Sequence, residues 1–448
     1  MQTAVKRVAG RDQGPGGHGL AMPRNQVSDI MNTKCESQGG MQATAAAPSG
    51  MRFVETEKLL TCVHCGLCQS ACPTYLELGT EADSPRGRIH LMRGLEDGRL
   101  EATPEVVRHL DLCLGCRACE TACPSGVPYG ALIEAARPWV EGHRPARARA
   151  ARRMLAAALT TAWVRRVLLA PVRLAAGISW TRRWLAFAAA LPRRRRGPLA
   201  TVLEPEGAPR GTAVLVTGCV ADSLFHDTNH ATAALLRRAG VRVVVPRGQG
   251  CCGALPLHLG ARDRAAALAR SLTRTLSETG ADWVVSNAAG CGALLREYGH
   301  LLPGSDGATW VAGRARDALE LLAELGLPAA REALPGAVAV HDPCHLVHGQ
   351  GVQAQVRTLL ATIPGVRLVD LPESDVCCGS AGTYNLTERA MARRLLERKL
   401  RHVAESGADV IAAANPGCLL QIRAGALARG LPVRVEHPID LLARAQGV

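Results

Sequence analysis

Two cysteine runs constrain this chain more than any other feature. CVHCGLCQSACP carries Cys62, Cys65, Cys68 and Cys72, CLGCRACETACP carries Cys113, Cys116, Cys119 and Cys123, and in both the spacing C-x2-C-x2-C-x3-C is followed by proline. Two intervening residues let one tight loop wrap around one cluster, and iron-sulfur clusters demand soft thiolate ligands. In paired runs of this spacing the fourth cysteine of each ligates the other cluster. The expected sets are Cys62, Cys65, Cys68 and Cys123 around one 4Fe-4S centre, and Cys72, Cys113, Cys116 and Cys119 around a second. Zinc also binds CxxC pairs, but two complete runs, each ending in proline, favour iron-sulfur ligation.

Forty residues separate Cys72 from Cys113, and EVVRHLDL before the second run reads as a helix. Residues 51-136 are therefore expected to resemble the α-helical two-cluster ferredoxins. Between the runs, SPRGRIHLMRGLEDG offers Arg86, Arg88 and Arg93. These could meet a partner, offset a reduced cluster's negative charge, or form a solvated helix face.

Seventeen cysteines in 448 residues need a collective explanation. Sixteen fall into spaced groups and no secretory signal pattern opens the chain, which points to a reducing compartment and metal ligation. Cys35 stands apart, in a leader (1-50) whose Gly-, Gln- and Ala-rich composition predicts no fold. Met41 or Met51 is the expected natural start.

From residue 206 the chain repeats itself. TGCV at Cys219 aligns with HDPC at Cys344, the doublet Cys251-Cys252 with Cys377-Cys378, and SNAAGC at Cys291 with AANPGC at Cys418, at offsets of 125, 126 and 127 residues. Such constant spacing indicates an internal duplication, 206-330 and 331-448. A disulfide within either doublet is disfavoured, because adjacent Cα atoms are held about 3.8 Å apart, below the roughly 4.4 Å that a relaxed bridge needs. Each half alternates apolar strands (AVLVTGC, VRVVVP, ADWVVSN; AVAVHDPC, VRLVDLP, ADVIAAANPGC) with helices, which predicts parallel α/β sheets. The thiols then fall after the C-terminal ends of strands, where open parallel sheets usually place their sites. Cys219, Cys251, Cys252 and Cys291, and likewise Cys344, Cys377, Cys378 and Cys418, are candidates for a further cluster, zinc or redox thiols. The expected fold is thus multidomain: a helical ferredoxin-like unit followed by a duplicated α/β domain.

The formal charge of +14 is concentrated in one segment. Residues 137-200 hold fifteen arginines, no lysine and one acid, Glu141, while the rest of the chain holds 38 basic and 38 acidic residues. This linker, 137-205, interleaves arginine pairs with Leu, Ala and Trp. The pattern suits amphipathic helices on an anionic membrane surface, or an arm packed on acidic partner surfaces. It contains no apolar run near the roughly 18 residues that a spanning helix requires. Nucleic acid is not an expected partner, since no recognised binding module accompanies the charge.

The doublets, as RGQGCCGALPLHLG and CCGSAGTYNLTERAMARRL, resemble the cysteine-rich domain of heterodisulfide reductase subunits and of the iron-sulfur subunits of glycerol-3-phosphate, lactate and glycolate oxidising enzymes. In the fullest form of that motif the third block is CxxC; here Leu294 and Gln421 stand where the fifth cysteine would be. Together with both ferredoxin runs, SNAAGCGALLREYGH and CVHCGLCQSACPTYLELGTEADSPRGRIHLM, the pattern is similar to glycolate oxidase iron-sulfur subunits over residues 55 to 440. The resemblance implies a subunit that takes electrons from flavin-binding partner subunits oxidising glycolate to glyoxylate and passes them to a quinone or other acceptor. The grouped thiols and the arginine-rich linker together lead to an expected cytoplasmic position, peripheral on the inner face of the cell membrane. The residues agree: no GxGxxG fingerprint, Ser-His-Asp arrangement or HExxH appears, so the 2-hydroxy acid chemistry belongs on another chain. A self-contained reductase and a metal-stapled scaffold are the rival classes. His258, His341, His345 and His348 lie near the repeat cysteines as candidate ligands or proton donors, and Glu297 and Tyr298 stand out through the resemblance alone.

Overall fold

The structure, a computed structural model, describes residues 53-177, 190-191 and 196-448. The leader with Cys35, Met41 and Met51, and most of the arginine-rich stretch from 178 to 195, lie outside the described residues.

Up to Gly142 the described chain is helical. Two helices start on the same device, a hydroxyl N-cap followed by proline. Ser84 Oγ accepts from the Gly87 amide at 3.0 Å ahead of the helix Pro85–Glu96, and Thr103 Oγ1 from the Val106 amide at 3.3 Å ahead of Pro104–Asp111. The hydroxyl satisfies an orphan amide and proline has none to waste. Their apolar faces, with Ile89, Met92 and Leu110, close on Leu132 and Ile133 of the helix Tyr129–Gly142. That helix runs straight through 136/137, where the linker is expected to begin. Val140 is buried in the same core and Trp139 stacks on Phe53, ring centroids 4.8 Å apart. Helices Ala146–Thr160 and Ala162–Gly177 follow. No helix of the described residues is long and apolar enough to cross a membrane.

The C-terminal part builds two sheets. β1 (Val202–Leu203), β2 (Gly211–Val216), β3 (Val241–Val244), β4 (Trp283–Ser286) and β5 (Ala315–Asp317) form the first, in the order β1-β3-β2-β4-β5, with only β1 antiparallel. β6 (Gly336–His341), β7 (Val366–Val369), β8 (Val410–Ala413) and β9 (Arg434–Glu436) form the second, fully parallel and ordered β7-β6-β8-β9. Leaving β1 aside, the two orders are the same, as a duplication requires. Central strands β2 and β8 are buried along their apolar runs, because helices cover both faces of a parallel sheet. β7 is an edge strand whose Arg367 and Leu368 are exposed.

The halves meet about a pseudo-dyad. The helix His226–Arg238 packs on Pro438–Ala445, and its counterpart Ala354–Ala361 packs on Ala318–Leu325. One hydrophobic core runs through the junction, with Leu215, Leu235 and Leu322 from the first half beside Val340, Leu360 and Leu442 from the second. Thr228 Oγ1 donates to Asp440 Oδ2 at 3.0 Å across it. His437 fixes the same seam: Nε2 donates to the Asn287 carbonyl at 2.9 Å, while Nδ1 accepts from the Ile439 amide at 3.1 Å and caps its own helix.

Candidate functional site

Both cysteine runs wind in the same way. The third and fifth residues of each are left-handed: His64 (φ 56°) and Gly66 (φ 84°) in the first, Gly115 (φ 66°) and Arg117 (φ 65°) in the second. Each loop thus curls tightly and turns its thiols to one side. Cys62, Cys65, Cys68 and Cys123 line one cavity, together with Cys119; Cys72, Cys113, Cys116 and Cys119 line a second. A thiol-lined cavity fits an iron-sulfur group by the chemistry of its donors. The two differ in access. Cys65 is exposed among the exposed side chains of Leu60, Val63 and Leu67, whereas Cys72, Cys113 and Cys119 are buried.

The arginines between the runs divide by position. Arg88 is 1% exposed; its Nε donates to the His109 carbonyl at 2.7 Å, Nη2 to Thr74 Oγ1 at 3.0 Å, and Nη1 lies 3.9 Å from Cys72 Sγ. Asp83 balances it at 3.7 Å and also bonds His109 Nδ1 at 2.8 Å. Arg86 donates to the His64 carbonyl at 3.0 Å, bracing the first loop. Arg93 alone sits on the surface, near Asp97. For Arg88, then, the solvated-face reading is wrong, because the helix register turns it into the core beside Cys72. Tyr129 adds a hydroxyl 3.6 Å from Cys113 Sγ.

In the repeats, strand order brings the thiols together. Cys219 and Cys344 follow β2 and β6, the doublets follow β3 and β7, and Cys291 and Cys418 lie in the helices Ala289–Arg296 and Pro416–Ala428 after β4 and β8. Cys219 and Cys251 Sγ are 3.4 Å apart, and Cys252 and Cys291 Sγ 3.3 Å. The glycine after each doublet has a physical reason. Gly253 (φ 97°) and Gly379 (φ 83°) press on a helix backbone, where a Cβ would come within 2.8 Å of the Ala265 carbonyl and 2.6 Å of the Ala392 carbonyl. Where a fifth cysteine would stand, Leu294 joins the apolar cluster around Cys252, and Gln421 Oε1 accepts from Asn385 Nδ2 at 3.0 Å.

The second repeat abuts the second cysteine run. Cys377 shares an apolar cluster with Leu112, Leu114 and Tyr384, and Cys116 and Cys344 pack against it. Burial first, and then the neighbouring Cys344, push the Cys116 thiol well above its ordinary range. Hydrogen bonding to Cys377, followed by burial, does the same to Cys344. Thiols packed so closely do not all ionise unless a cation is among them. Around this contact, Arg137 Nη2 donates to the Cys113 carbonyl at 2.9 Å and Nη1 lies 3.3 Å from His258 Nδ1. Arg117 pairs with Glu297, and Thr121 Oγ1 bonds His348 Nδ1 at 2.8 Å. His345 Nδ1 is 3.5 Å from Cys344 Sγ and its ring lies 5.2 Å from that of His258. Tyr298 donates to the Cys252 carbonyl at 2.7 Å. Glu297 and Tyr298 are therefore structural neighbours of the thiol sites. Sequence reading did not single out Tyr384 or Arg137: the tyrosine lies inside the doublet segment with nothing to mark it from its neighbours, and the arginine is one of fifteen in its segment.

A helical unit with two thiol cavities, continuous with a duplicated α/β domain whose thiols crowd one edge of each sheet, defines a multidomain iron-sulfur oxidoreductase subunit. Residues 58–127 match the 4Fe-4S dicluster domain, and residues 213–296 and 338–423 the cysteine-rich domain. The glycolate oxidase iron-sulfur subunit of Escherichia coli (strain K12) is 36% identical over 419 residues, covering 90% of this chain and 98% of its own. The probable glycolate oxidase iron-sulfur subunit of Bacillus subtilis (strain 168) is 37% identical over 419 residues, covering 87% and 94%. One chain of the fumarate reductase (CoM/CoB) of Methanothermobacter marburgensis is 29% identical over 405 residues, covering 88% and 73%. The protein described here belongs to the family of glycolate oxidase iron-sulfur subunits.

Proposed function

We propose that this chain carries electrons within a flavin-dependent glycolate oxidase, from partner subunits that convert glycolate to glyoxylate toward a quinone-type acceptor, and turns over no substrate alone. The observation that carries this reading is the graded burial of the thiol sites. The cavity of Cys62, Cys65, Cys68 and Cys123 opens to the surface, that of Cys72, Cys113, Cys116 and Cys119 lies deeper, and Cys116 packs beside Cys344 and Cys377. Two 4Fe-4S clusters held by these crossed sets would supply one-electron chemistry. The chain's own part is to hold thiolates at fixed spacing, exclude water, and set Arg88 beside Cys72, where positive charge favours the reduced state. Electrons enter at the exposed first loop and leave past the repeats, whose thiols hold soft metal or serve as redox thiols. Anaerobic mixing with glycolate tests this. Reduced-cluster EPR signals are expected only when the flavin subunits are present; reduction of the isolated chain by glycolate would overturn it. A second reading, lactate as the partner's substrate, draws on the lactate utilization protein A of Geobacillus kaustophilus, 31% identical but covering 51% of this chain. Adding lactate in place of glycolate separates the two.

The same reading puts the chain in the cytoplasm, peripheral on the inner membrane face. Trp163 (69% exposed), Val167 and Leu168 project beside exposed Arg166, and Met154 beside Arg153. Apolar side chains flanked by arginine suit the boundary of an anionic bilayer. Replacing Trp163 and Val167 by serine should weaken co-sedimentation with phosphatidylglycerol vesicles.

A further inference from the structure

The repeats are alike in fold and unlike at one buried position. The last residue of β6 is His341; the last residue of its counterpart β2 is Val216. His341 is 1% exposed; the Ser374 carbonyl and the Lys399 ammonium stand near its ring, but neither ring nitrogen makes a well-formed hydrogen bond. A neutral imidazole carries one donor and one acceptor, and a buried ring left without well-formed bonds to either is costly. Its neighbour Asp342 is already engaged, by Arg357, Ser374 and Gln353 at 2.7 to 3.1 Å. The ring also faces sulfur. A nitrogen of His341 and the Sγ atoms of Cys378 and Cys418 all lie within 4.8 Å of one another, and all three residues are buried.

We propose that His341, Cys378 and Cys418 form a mononuclear, zinc-type metal site in the second repeat, distinct from the 4Fe-4S centres. The spacing selects one ion rather than a cluster. Tetrahedral ligands about 2.3 Å from a metal stand roughly 3.8 Å apart, whereas the thiols of a four-iron cluster sit on separate irons and spread wider. The ferredoxin runs serve as the internal control: among the described residues neither run yields three donors within 4.8 Å, and His341, Cys378 and Cys418 do. In the first repeat β2 ends in Val216 and no such triad forms among the described residues, so the site belongs to the second alone. Imidazole with two thiolates suits zinc; Cys377, adjacent to Cys378, or solvent completes the tetrahedron. The metal supplies the positive charge that lets neighbouring buried thiols ionise together. Asn415 Nδ2, 3.5 Å from Cys418 Sγ, is its outer support.

The site deepens the reading of the repeat thiols as soft ligands, and its test is separable from that of electron transfer. The full chain, loaded with iron and sulfide, is equilibrated with zinc, challenged with a chelator, and analysed for both metals. One equivalent of retained zinc is expected, with iron and EPR signals those of two 4Fe-4S clusters. His341→Ala should lose retention at least tenfold, His341→Cys should restore it, and both should keep the iron. Cobalt(II) in zinc's place should give thiolate charge-transfer bands that shift between wild type and His341→Cys. Three results would each overturn the proposal: no retained zinc, zinc retained undiminished by His341→Ala, or iron beyond the two clusters lost with His341. Loss of the two-cluster iron in the wild type would instead sink the electron-transfer reading and leave the zinc result standing.

Discussion

Tyr384 donates its phenolic hydroxyl to the carbonyl of Leu112 at 2.9 Å, across 272 residues of sequence. Leu112 immediately precedes Cys113, and Tyr384 closes the loop that opens with the Cys377-Cys378 doublet. This one bond ties the second cysteine run to the second repeat.

Removing that hydroxyl leaves the Leu112 carbonyl buried without its donor. Tyr384→Phe should destabilise the protein by about 1–3 kcal/mol in urea unfolding. Iron content should be unchanged, and the EPR signal of the centre held by Cys113 should shift while that of the centre held by Cys62 does not.

Arg88 and Asp83 form a buried pair with His109 and Thr74 around them. Arg88→Met strands the carboxylate and should cost about 3–5 kcal/mol. Loss of a fixed positive charge 3.9 Å from Cys72 Sγ should also make the second centre's midpoint potential more negative. Arg88→Lys keeps the charge but not the fork, so it should recover most of the potential and less of the stability.

His437 should stabilise the seam between the halves less in acid. Burial lowers His437 from its ordinary range to about 4, while its bond to the Asn287 carbonyl acts the other way. A base whose folded value is depressed contributes its full stability above its ordinary value of about 6.5 and loses it as the pH falls through about 4. The contribution is on the order of 3 kcal/mol. The difference in urea midpoint between wild type and His437→Asn should therefore shrink between pH 7 and pH 4.5, while the raised carboxyl of Asp440 at the same seam acts in the opposite sense in both proteins.

Because Leu215, Leu235 and Leu322 share a core with Val340, Leu360 and Leu442, neither half is complete alone. A chain truncated after residue 330 should show no cooperative unfolding transition by circular dichroism. Co-expression with residues 331-448 should restore one.

Sequence by itself determined a good deal: the two cysteine runs, the duplication, the alternation of strands and helices, and the family. These are local signals, legible because thiol spacing, apolar periodicity and a repeat of about 126 residues are written along the chain. A glycine follows each doublet in the sequence, and only the fold supplies its purpose: close approach to the helix backbone at Ala265 and Ala392. Packing decided the rest. Arg88 reads as one of three arginines on a helix until its register buries it beside Cys72. Arg137 reads as linker charge until the helix Tyr129–Gly142 carries it to the Cys113 carbonyl. β2 and β6 both end beside thiols that neighbouring strands deliver, Cys252 and Cys291 near Val216 and Cys378 and Cys418 near His341, and only the tertiary structure shows that the imidazole lies with two of them. Such contacts join residues tens to hundreds apart, and no local periodicity encodes which strand end will face which.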